Sequence, residues 1–323
     1  MPRPLVPLPP ELPESFAVPD ALERGVSRAR LNGADLERLF RGGRTKASTL
    51  SAASVDEVPW ERWAREADRL MNAYLPVMPS HAFFCGSTAA RLWGLPLPSR
   101  VDATLHVGVW RPRTAPVRSG VRGRQFTVGF VRVVDLDGIR LTDPASTWAT
   151  LGGMLRHDEL VAVADRVLHV PRHPGGFQPV TETALATREE LERLVQRKGR
   201  PGAPVLRRAL ELARTGSASP PETQIRLILH RAGLPEPVLD HDVYDEHGRF
   251  LGCSELAYPE LKVALEYESD GHLTRPQLQR DIDKYQAYAE AGWHTVRLTS
   301  AHVYAVPSET VRRVRVARAA SRA

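Results

Sequence analysis

The sequence has few cysteines and no long apolar segment. Among its 323 residues only Cys85 and Cys253 are cysteines, and they stand in no paired motif, which excludes a disulfide framework and a cysteine-based zinc site. No apolar run approaches the roughly 18 residues that a membrane span needs, and the proline-rich residues 1–15 lack the apolar core of a signal peptide. We therefore expect a cytoplasmic protein with no membrane partner and a flexible N-terminal arm at 1–15.

The chain is too long for one ordinary core, so its length predicts two or three domains. Proline, glycine and serine cluster at three places, which mark breaks between segments. The predicted parts after the arm are a helix-turn-helix-like head at 16–58, a mixed α/β middle domain at 59–169, a connector at 170–215 and a C-terminal α/β domain at 216–323. The predicted fold class is α/β in the broad sense, of the α+β type.

Charge is unevenly distributed along the chain. Residues 216–323 contain 13 Lys and Arg against 15 Asp and Glu, whereas the rest contains 31 against 23. A basic front can bind nucleic-acid phosphates, and an acidic cluster behind it can hold a divalent cation. The alternative is an arginine-rich, solvated surface that reflects coding bias.

The head has the spacing of a helix-turn-helix. Gly25 can take the positive φ of the turn, and Ser27 can cap a second helix, which would leave Arg28 and Arg30 available to a DNA groove. A structural helical hairpin explains the same spacing equally well.

The middle domain contains two predicted strands, at 103–110 and 126–134. Between them, residues 111–124 carry five arginines and no acid, so this stretch cannot be core. It is either a phosphate-contacting hairpin, with Arg118 and Arg122 as DNA-binding residues, or a merely solvated one.

The first half of the chain resembles the antitoxin-type regulators of the AbiEi family. The matching segments are AVPDALERGVSRARL at 17–31, RLFRGGRTK at 38–46, STAARLWGLPLP at 87–98 and LTDPASTWATL at 141–151. This resemblance implies an N-terminal winged helix that binds DNA, and a cognate toxin as a possible partner.

A short helix with clear ends opens the C-terminal domain. Ser219 is a predicted N-cap, Pro220 takes the first helical position and Gly233 follows the end. Glu222 stands three residues after the cap, where its carboxylate can complete a capping box. A catalytic or metal-supporting role for Glu222 is the alternative, and the two roles are compatible.

Two predicted strands then form a hairpin that brings carboxylates together. Side chains alternate along a strand, so Glu266 and Glu268 share one face of the strand at 262–268. A turn at Glu260 and Leu261 pairs Glu255 with Glu266, with Cβ atoms about 5 Å apart. Because like charges this close repel each other, something must compensate them, and a divalent cation is the natural candidate.

Mg²⁺, or Mn²⁺ in its place, suits this pair because hard carboxylate oxygens on neighbouring strands are its preferred protein ligands. Such an ion binds a phosphate oxygen and makes its water more acidic. The alternative is a solvated acidic strand pair. Apolar Leu256, Val263 and Leu265 weaken that alternative, since they indicate packed central strands where an unpaired carboxylate is costly.

A second helix follows, beginning near Thr274 and ending at Gly292. Its predicted apolar stripe consists of Leu278, Ile282, Tyr285 and Ala289. Arg280 and Lys284 fall on another common face, which is either a phosphate contact opposite the acidic hairpin or an ordinary solvated surface.

The C-terminal domain resembles the Vsr-like endonucleases of the PD-(D/E)XK superfamily, in the version found behind AbiEi-type heads in actinobacteria. The matching segments are PPETQIRLIL at 220–229, GCSELAYPELKVALEY at 252–267, ESDGH at 268–272, RDIDKYQAYAEAGW at 280–293 and VRLT at 296–299. The resemblance implies a restriction-endonuclease-like mixed sheet flanked by helices.

The resemblance also implies roles for single residues. Glu222 takes the position of the helix glutamate, and Glu255 and Glu266 take the two metal-binding carboxylate positions. His272 takes the position of a histidine that acts as proton donor or base. Glu255 replaces an aspartate, and Glu268 stands where the superfamily motif has lysine.

The leading hypothesis is a Mg²⁺-dependent DNA endonuclease, targeted by the N-terminal region, with Glu222 and Glu268 supporting the ion site and His272 assisting. The first alternative is a non-catalytic DNA-binding regulator or antitoxin with a degenerate nuclease fold. A third is a nucleic-acid-processing scaffold that depends on a partner nuclease.

Overall fold

A computed structural model describes residues 6–47, 59–178, 180–268 and 275–321, with side chains omitted at 59–60 and 275–277. The chain divides into two compact units, residues 1–150 and 151–323. Each unit contains helices and strands. Each of the two larger sheets is mixed, with parallel and antiparallel neighbours. The predicted α+β class is therefore confirmed. No helix within these described ranges is long and apolar enough to cross a lipid bilayer.

The first unit is built from short strands and four helices within its described part. The strands are β1 Ser15–Ala17, β2 Leu36–Glu37, β3 Gly43–Lys46, β4 Phe83–Phe84, β5 Leu105–Trp110, β6 Val117–Arg118, β7 Val121–Phe126, β8 Val133–Leu136 and β9 Ile139–Thr142. The helices are α1 Val18–Glu23, α2 Pro59–Tyr74, α3 Gly86–Leu92 and α4 Pro144–Thr150. The strands form a three-stranded sheet in the order β1-β3-β2 and a six-stranded sheet in the order β6-β7-β5-β4-β9-β8.

The head is not the predicted pair of helices. After α1 and a turn at Gly25, the expected second helix is a single 3-10 turn, Arg30–Asn32. Ser27 does accept a hydrogen bond from the Arg30 amide, but the Arg30 guanidinium donates to both carboxylate oxygens of Asp35, at 2.8 and 2.5 Å. Its side chain is only 8% exposed. The expectation that Arg30 is available to a DNA groove is therefore wrong, whereas Arg28 is exposed.

Part of the predicted flexible arm is packed against the head. Leu12 is buried beside Phe16, Ala21 and Leu31, and Leu8 packs against the same cluster. An apolar side chain that leaves water in this way fixes the chain around it. Residues 6–15 therefore belong to the head.

The middle of the first unit confirms the predicted strand at 103–110 as β5 and corrects the one at 126–134. That stretch is divided between the end of β7 and β8, with a turn between them. The arginine-rich stretch includes the antiparallel hairpin of β6 and β7, in which Arg118 pairs with Val121. Arg118 and Arg122 are both exposed, as the sequence requires of so charged a segment.

The second unit combines one helix from the end of the predicted middle domain and two from the predicted connector with the C-terminal sheet. Its helices are α5 His157–Leu168, α6 Arg188–Gln196, α7 Ala203–Leu212, α8 Pro220–Arg231, α9 Arg275–Glu290 and α10 Pro307–Ala320. Its strands are β10 Val238–Tyr244, β11 Phe250–Tyr258, β12 Val263–Glu268 and β13 His294–Thr299, hydrogen-bonded in that order. β10, β11 and β12 are antiparallel neighbours, and β13 runs parallel to β12.

Helices α8 and α10 cover one face of this sheet. Their buried side chains, among them Ile225, Leu229 and Val314, pack on Leu256 and Leu265. Ser219 caps α8 as predicted, and Gly233 follows its end with φ +68°. Because alternate residues of a strand point to opposite faces, Glu255 and Glu266 lie on the face away from these helices.

A buried ion pair joins α8 to α5. The Arg226 guanidinium of α8 lies 2.8 Å from the Asp165 carboxylate of α5, and both side chains are almost fully buried. Asp165 also accepts hydrogen bonds from the Thr223 hydroxyl and the Arg214 amide. The orientation of α8, and so of Glu222 in its first turn, depends on this network.

Candidate active site

The predicted hairpin register is confirmed. Leu256 pairs with Leu265 and Ala257 with Ala264, so one further step along the same ladder places Glu255 opposite Glu266. The turn between the strands is the 3-10 turn Pro259–Leu261, where the sequence predicted it. The two carboxylates therefore lie on neighbouring central strands of the sheet.

Each of the two carboxylates uses one oxygen in a hydrogen bond. Oε2 of Glu255 accepts from the Tyr267 amide at 2.8 Å, and Oε2 of Glu266 accepts from the Lys284 ammonium of α9 at 2.9 Å. Oε1 of Glu266 is buried and has no hydrogen-bond partner in the described part of the chain. The second oxygen of Glu255 likewise has none among those residues.

Burial dominates the ionisation of this pair. Burial, with smaller contributions from the neighbouring Glu266 and Glu222, raises the pKa of Glu255 to about 8 against the opposing Tyr267 amide. Burial also raises the pKa of Glu266, although the Lys284 ammonium acts in the opposite direction. The need for a compensating cation, expected from the sequence, is met in part by Lys284.

Glu268 is held differently from the other two. Its Oε1 accepts from the Tyr285 hydroxyl at 2.8 Å and from the Arg297 Nε at 2.6 Å. Burial alone would raise the pKa of Glu268, but these two hydrogen bonds lower it below its usual range. Glu268 is therefore an ionised partner of Arg297.

Glu222 caps its helix. Its Oε1 accepts from the Ser219 hydroxyl at 2.7 Å, and its Oε2 accepts from the Ala218 amide at 2.8 Å. Burial raises the pKa of Glu222, against these hydrogen bonds and with a contribution from nearby Asp240. Glu222 thus acts at the start of α8 as predicted, but mainly through the Ser219 hydroxyl and the Ala218 amide rather than the Ser219 amide of a capping box, and both of its oxygens are engaged there.

The inward face of α9 is not the predicted apolar stripe. Of the predicted stripe, Leu278 and Ile282 are 48% and 53% exposed and Ala289 is exposed, and Tyr285 alone faces the sheet. Lys284 and Tyr288 face the sheet beside it. The sheet face beneath α9 carries carboxylates, so an ammonium and hydroxyl groups satisfy it better than aliphatic side chains. For the same reason Lys284 turns inward, contrary to its expected place on a DNA-facing surface.

Arg280 is exposed on α9, as a phosphate-contacting residue would be. His272 lies outside the described residues. Arg28, Arg118 and Arg122 belong to the first unit.

Sequence reasoning missed a second charged group on the same face. Arg172, from the segment between α5 and α6, contacts Asp240 and lies 2.8 Å from Asp242 on the edge strand β10. The Cys253 thiol donates to Asp240 at 2.8 Å, and burial raises the pKa of this thiol. The pairs that flank Asp240 are Leu239 with Leu256 and His241 with Ser254, which put Asp240 level with Glu255, but no sequence pattern predicted this register. Nothing in the sequence pointed to Arg172.

The donor set limits what kind of metal site is feasible. No three His, Cys, Asp or Glu side chains in the described ranges are arranged to hold a metal ion together. Mg²⁺ in phosphoryl-transfer sites is commonly held by one or two carboxylates, with water and substrate phosphate as the other ligands. The partner-free oxygens of Glu255 and Glu266 fit such a two-carboxylate site.

Two curated proteins of Mycobacterium tuberculosis, one from strain H37Rv and one from strain CDC 1551, are similar to this chain. Each is 28% identical over 262 residues, which is 78% of this chain and 87% of the relative. Both are named as uncharacterized proteins, so the similarity carries no activity with it. Because the match is longer than either unit, it includes parts of both. No protein-family profile and no solved structure matches the chain.

Proposed function

We propose that the chain is a Mg²⁺-dependent DNA endonuclease whose second unit is a Vsr-like, restriction-endonuclease-like domain. The observation that carries this proposal is the pair Glu255 and Glu266 on adjacent central strands. Each carboxylate has one oxygen held in place and one without a partner among the described residues. Two fixed, adjacent oxygens of this kind suit a dication that must also accept a phosphate oxygen.

The order of elements supports the same proposal. The second unit places α8 before the antiparallel strands β10, β11 and β12, and α9 between β12 and the parallel strand β13. This is the order of helix, hairpin strands, helix and strand that the resemblance to Vsr-like endonucleases implies. The carboxylates stand on the two central strands of that sheet.

In the proposed reaction the chain's own residues bind and orient the phosphodiester. Glu255 and Glu266 would hold the ion, which when bound neutralises phosphate charge and acidifies a water molecule. Lys284 keeps the Glu266 carboxylate in one orientation through its 2.9 Å contact. Tyr267 does the same for Glu255 through its backbone amide. Both contacts come from packed elements, so the carboxylates are oriented before substrate arrives.

We further propose that the first unit binds DNA, as the AbiEi-type resemblance implies. Arg118 and Arg122 stand exposed on a short hairpin, and Arg28 is exposed in the head. Exposed arginines in such positions suit phosphate contacts that do not read sequence. A cognate toxin as a partner rests on the resemblance alone.

A second candidate function is a non-catalytic DNA-binding regulator of antitoxin type with a degenerate nuclease fold. The observation that favours it is the Lys284 ammonium on Glu266, which already compensates one carboxylate. Glu222 adds no ligand, because both of its oxygens bind at the start of α8. In this alternative Lys284 takes over the charge compensation that a metal ion provides in an active nuclease.

Incubation of the purified full-length protein with plasmid DNA and Mg²⁺ or Mn²⁺ separates the two candidates. Removing a residue that only supports a metal ligand typically lowers activity roughly 10- to 100-fold. Because Glu266 would be a ligand itself, we expect Glu266→Ala to lower the cleavage rate by more than that. The matched control is Glu260→Ala, because Glu260 is an exposed glutamate in the turn of the same hairpin. If no DNA form is cleaved and calorimetry detects no binding of either ion, the regulator replaces the nuclease as the supported function.

A further inference from the structure

Arg297 stands beside the carboxylate pair with an exposed guanidinium. On the parallel strands β12 and β13 it pairs with Glu266, so both side chains lie on the same sheet face, one strand spacing apart. Its side chain is 59% exposed. Only its Nε is engaged, by Glu268, and its two terminal nitrogens have no hydrogen-bond partner in the described part of the chain.

Two contacts hold this guanidinium in place. Glu268 accepts from Nε at 2.6 Å, and the Tyr285 ring centroid lies 5.2 Å from the guanidinium carbon, within cation–π range. The same Tyr285 donates its hydroxyl to Glu268, so the three side chains form one connected group. The hydrogen bond from Glu268 and its charge raise the pKa of Arg297, which therefore stays charged.

The neighbouring cation is already committed. The Lys284 ammonium lies 5.6 Å from the centroid of the Tyr285 ring, but the Lys284 side chain is only 22% exposed and its ammonium contacts the Glu266 carboxylate. A substrate phosphate next to two carboxylates needs a cation on the protein side, and a guanidinium with two available N–H groups binds phosphate oxygens in a forked geometry. Arg297 meets that need and Lys284 does not.

We propose that Arg297 contacts a DNA backbone phosphate at the edge of the carboxylate site, with Glu268 and Tyr285 holding its guanidinium. This inference rests on the proposed function for its choice of substrate. In it, Glu268 positions the Arg297 guanidinium and does not bind the metal ion. A phosphate contact of this kind places the strand and reads no base.

DNA binding without any cleavage tests the inference. Fluorescence anisotropy of the full-length protein with a labelled duplex in EDTA, over a range of salt, gives the slope of log K against log salt. For Arg297→Gln we expect affinity to fall about tenfold, equally on two unrelated sequences, and the slope to lose about 0.9. Arg297→Lys should keep the slope, because it keeps the charge.

Arg312→Gln is the matched control. Arg312 is 63% exposed and bonded to a glutamate, like Arg297, but it lies on α10, which packs on the opposite face of the sheet. We expect it to bind DNA with the wild-type affinity and slope. Equal losses for Arg297→Gln and Arg312→Gln would overturn the proposal, and so would an Arg297→Gln protein indistinguishable from wild type.

Chemical protection gives a readout that does not depend on a variant folding. Phenylglyoxal modifies exposed arginines, and mass spectrometry locates the modified peptide. Duplex DNA should slow modification of Arg297 in the wild-type protein several-fold and leave Arg312 unaffected. Unchanged modification of Arg297 under saturating DNA would refute the contact. Because no metal is present, these results stand apart from whether the protein cleaves DNA.

Discussion

Replacing Glu255 by Gln should change how the stability of the second unit depends on pH. The folded chain holds a proton on Glu255 up to about pH 8, whereas the unfolded chain releases it near 4.5. Below both values the carboxyl is protonated in either state and contributes no pH dependence. As pH rises from 4.5 to 8 the folded state binds one more proton than the unfolded state, so stability falls with pH. Above about pH 8 the contribution of this group levels off.

The magnitude follows from the two pKa values. Between pH 6 and pH 9 they correspond to a loss of about 2.7 kcal/mol of unfolding free energy in the metal-free wild-type protein. Glu255 keeps some exposure to solvent, so this value is an upper bound and we expect a loss of about 1–2.7 kcal/mol. Gln cannot titrate, and it keeps the shape and one oxygen acceptor for the Tyr267 amide. Between pH 6 and pH 9 the unfolding free energy of the Glu255→Gln protein should therefore rise by this amount relative to that of the wild-type protein.

The two cysteines make the measurement specific to each unit. Cys85 lies in the first unit and Cys253 in the second, so pulse thiol labelling in a urea series, read by mass, reports their unfolding separately. In EDTA, the wild-type Cys253 midpoint should fall between pH 6 and pH 9 relative to that of Glu255→Gln. The Cys85 midpoint should shift equally in both proteins, and exposed Glu260→Gln should behave as wild type. A constant difference between the Cys253 midpoints from pH 6 to 9 would refute a protonated Glu255.

The remaining predictions concern the supports of the site. Arg226→Met should cost about 3–5 kcal/mol in the Cys253 labelling assay, because Asp165 is left as a buried carboxylate without its counter-ion. Adding Asp165→Asn should restore part of that loss, because Asn removes the charge and keeps an acceptor for the Arg214 amide. Ser219→Ala should lower the unfolding free energy by about 1 kcal/mol, read from the Cys253 midpoint, because it removes the cap of α8. A midpoint equal to that of wild type would show that Glu222 caps the helix without Ser219. Gly252→Ala should destabilise the unit by about 1–3 kcal/mol, since its φ of +148° and a Tyr288 hydroxyl 3.2 Å from the added Cβ both oppose a side chain.

The hairpin that carries the site was predictable because its determinants are local. A polar turn at Glu260 separates two stretches with alternating apolar residues, and alternation fixes which side chains share a face. Register then follows from the turn position, and the pairing of Leu256 with Leu265 that it predicts is observed. The capping role of Glu222 was also predictable, since its partner stands three residues away in sequence.

The predictions that were wrong concern contacts that a pattern within one element does not report. Leu278 and Ile282 have helical spacing, but the side of α9 that packs is chosen by the carboxylates of the sheet beneath it, through Lys284. In the head, Arg30 and Asp35 stand five residues apart, and their ion pair accompanies a 3-10 turn where helical spacing predicted a longer helix. Spacing within one element does not report the chemistry of the surface that it meets.

The length of Glu255 has a consequence for the proposed ion site. Its carboxylate crosses to the Tyr267 amide of the neighbouring strand, and that hydrogen bond holds one oxygen and leaves the other beside Glu266. Lys284 does the same for Glu266 from the helix above. A shorter aspartate at 255 would set its carboxylate about one bond length nearer its own strand, away from this amide. The glutamate is thus matched to a cross-strand donor, and the two remaining oxygens define where a dication or a substrate-bound water would lie.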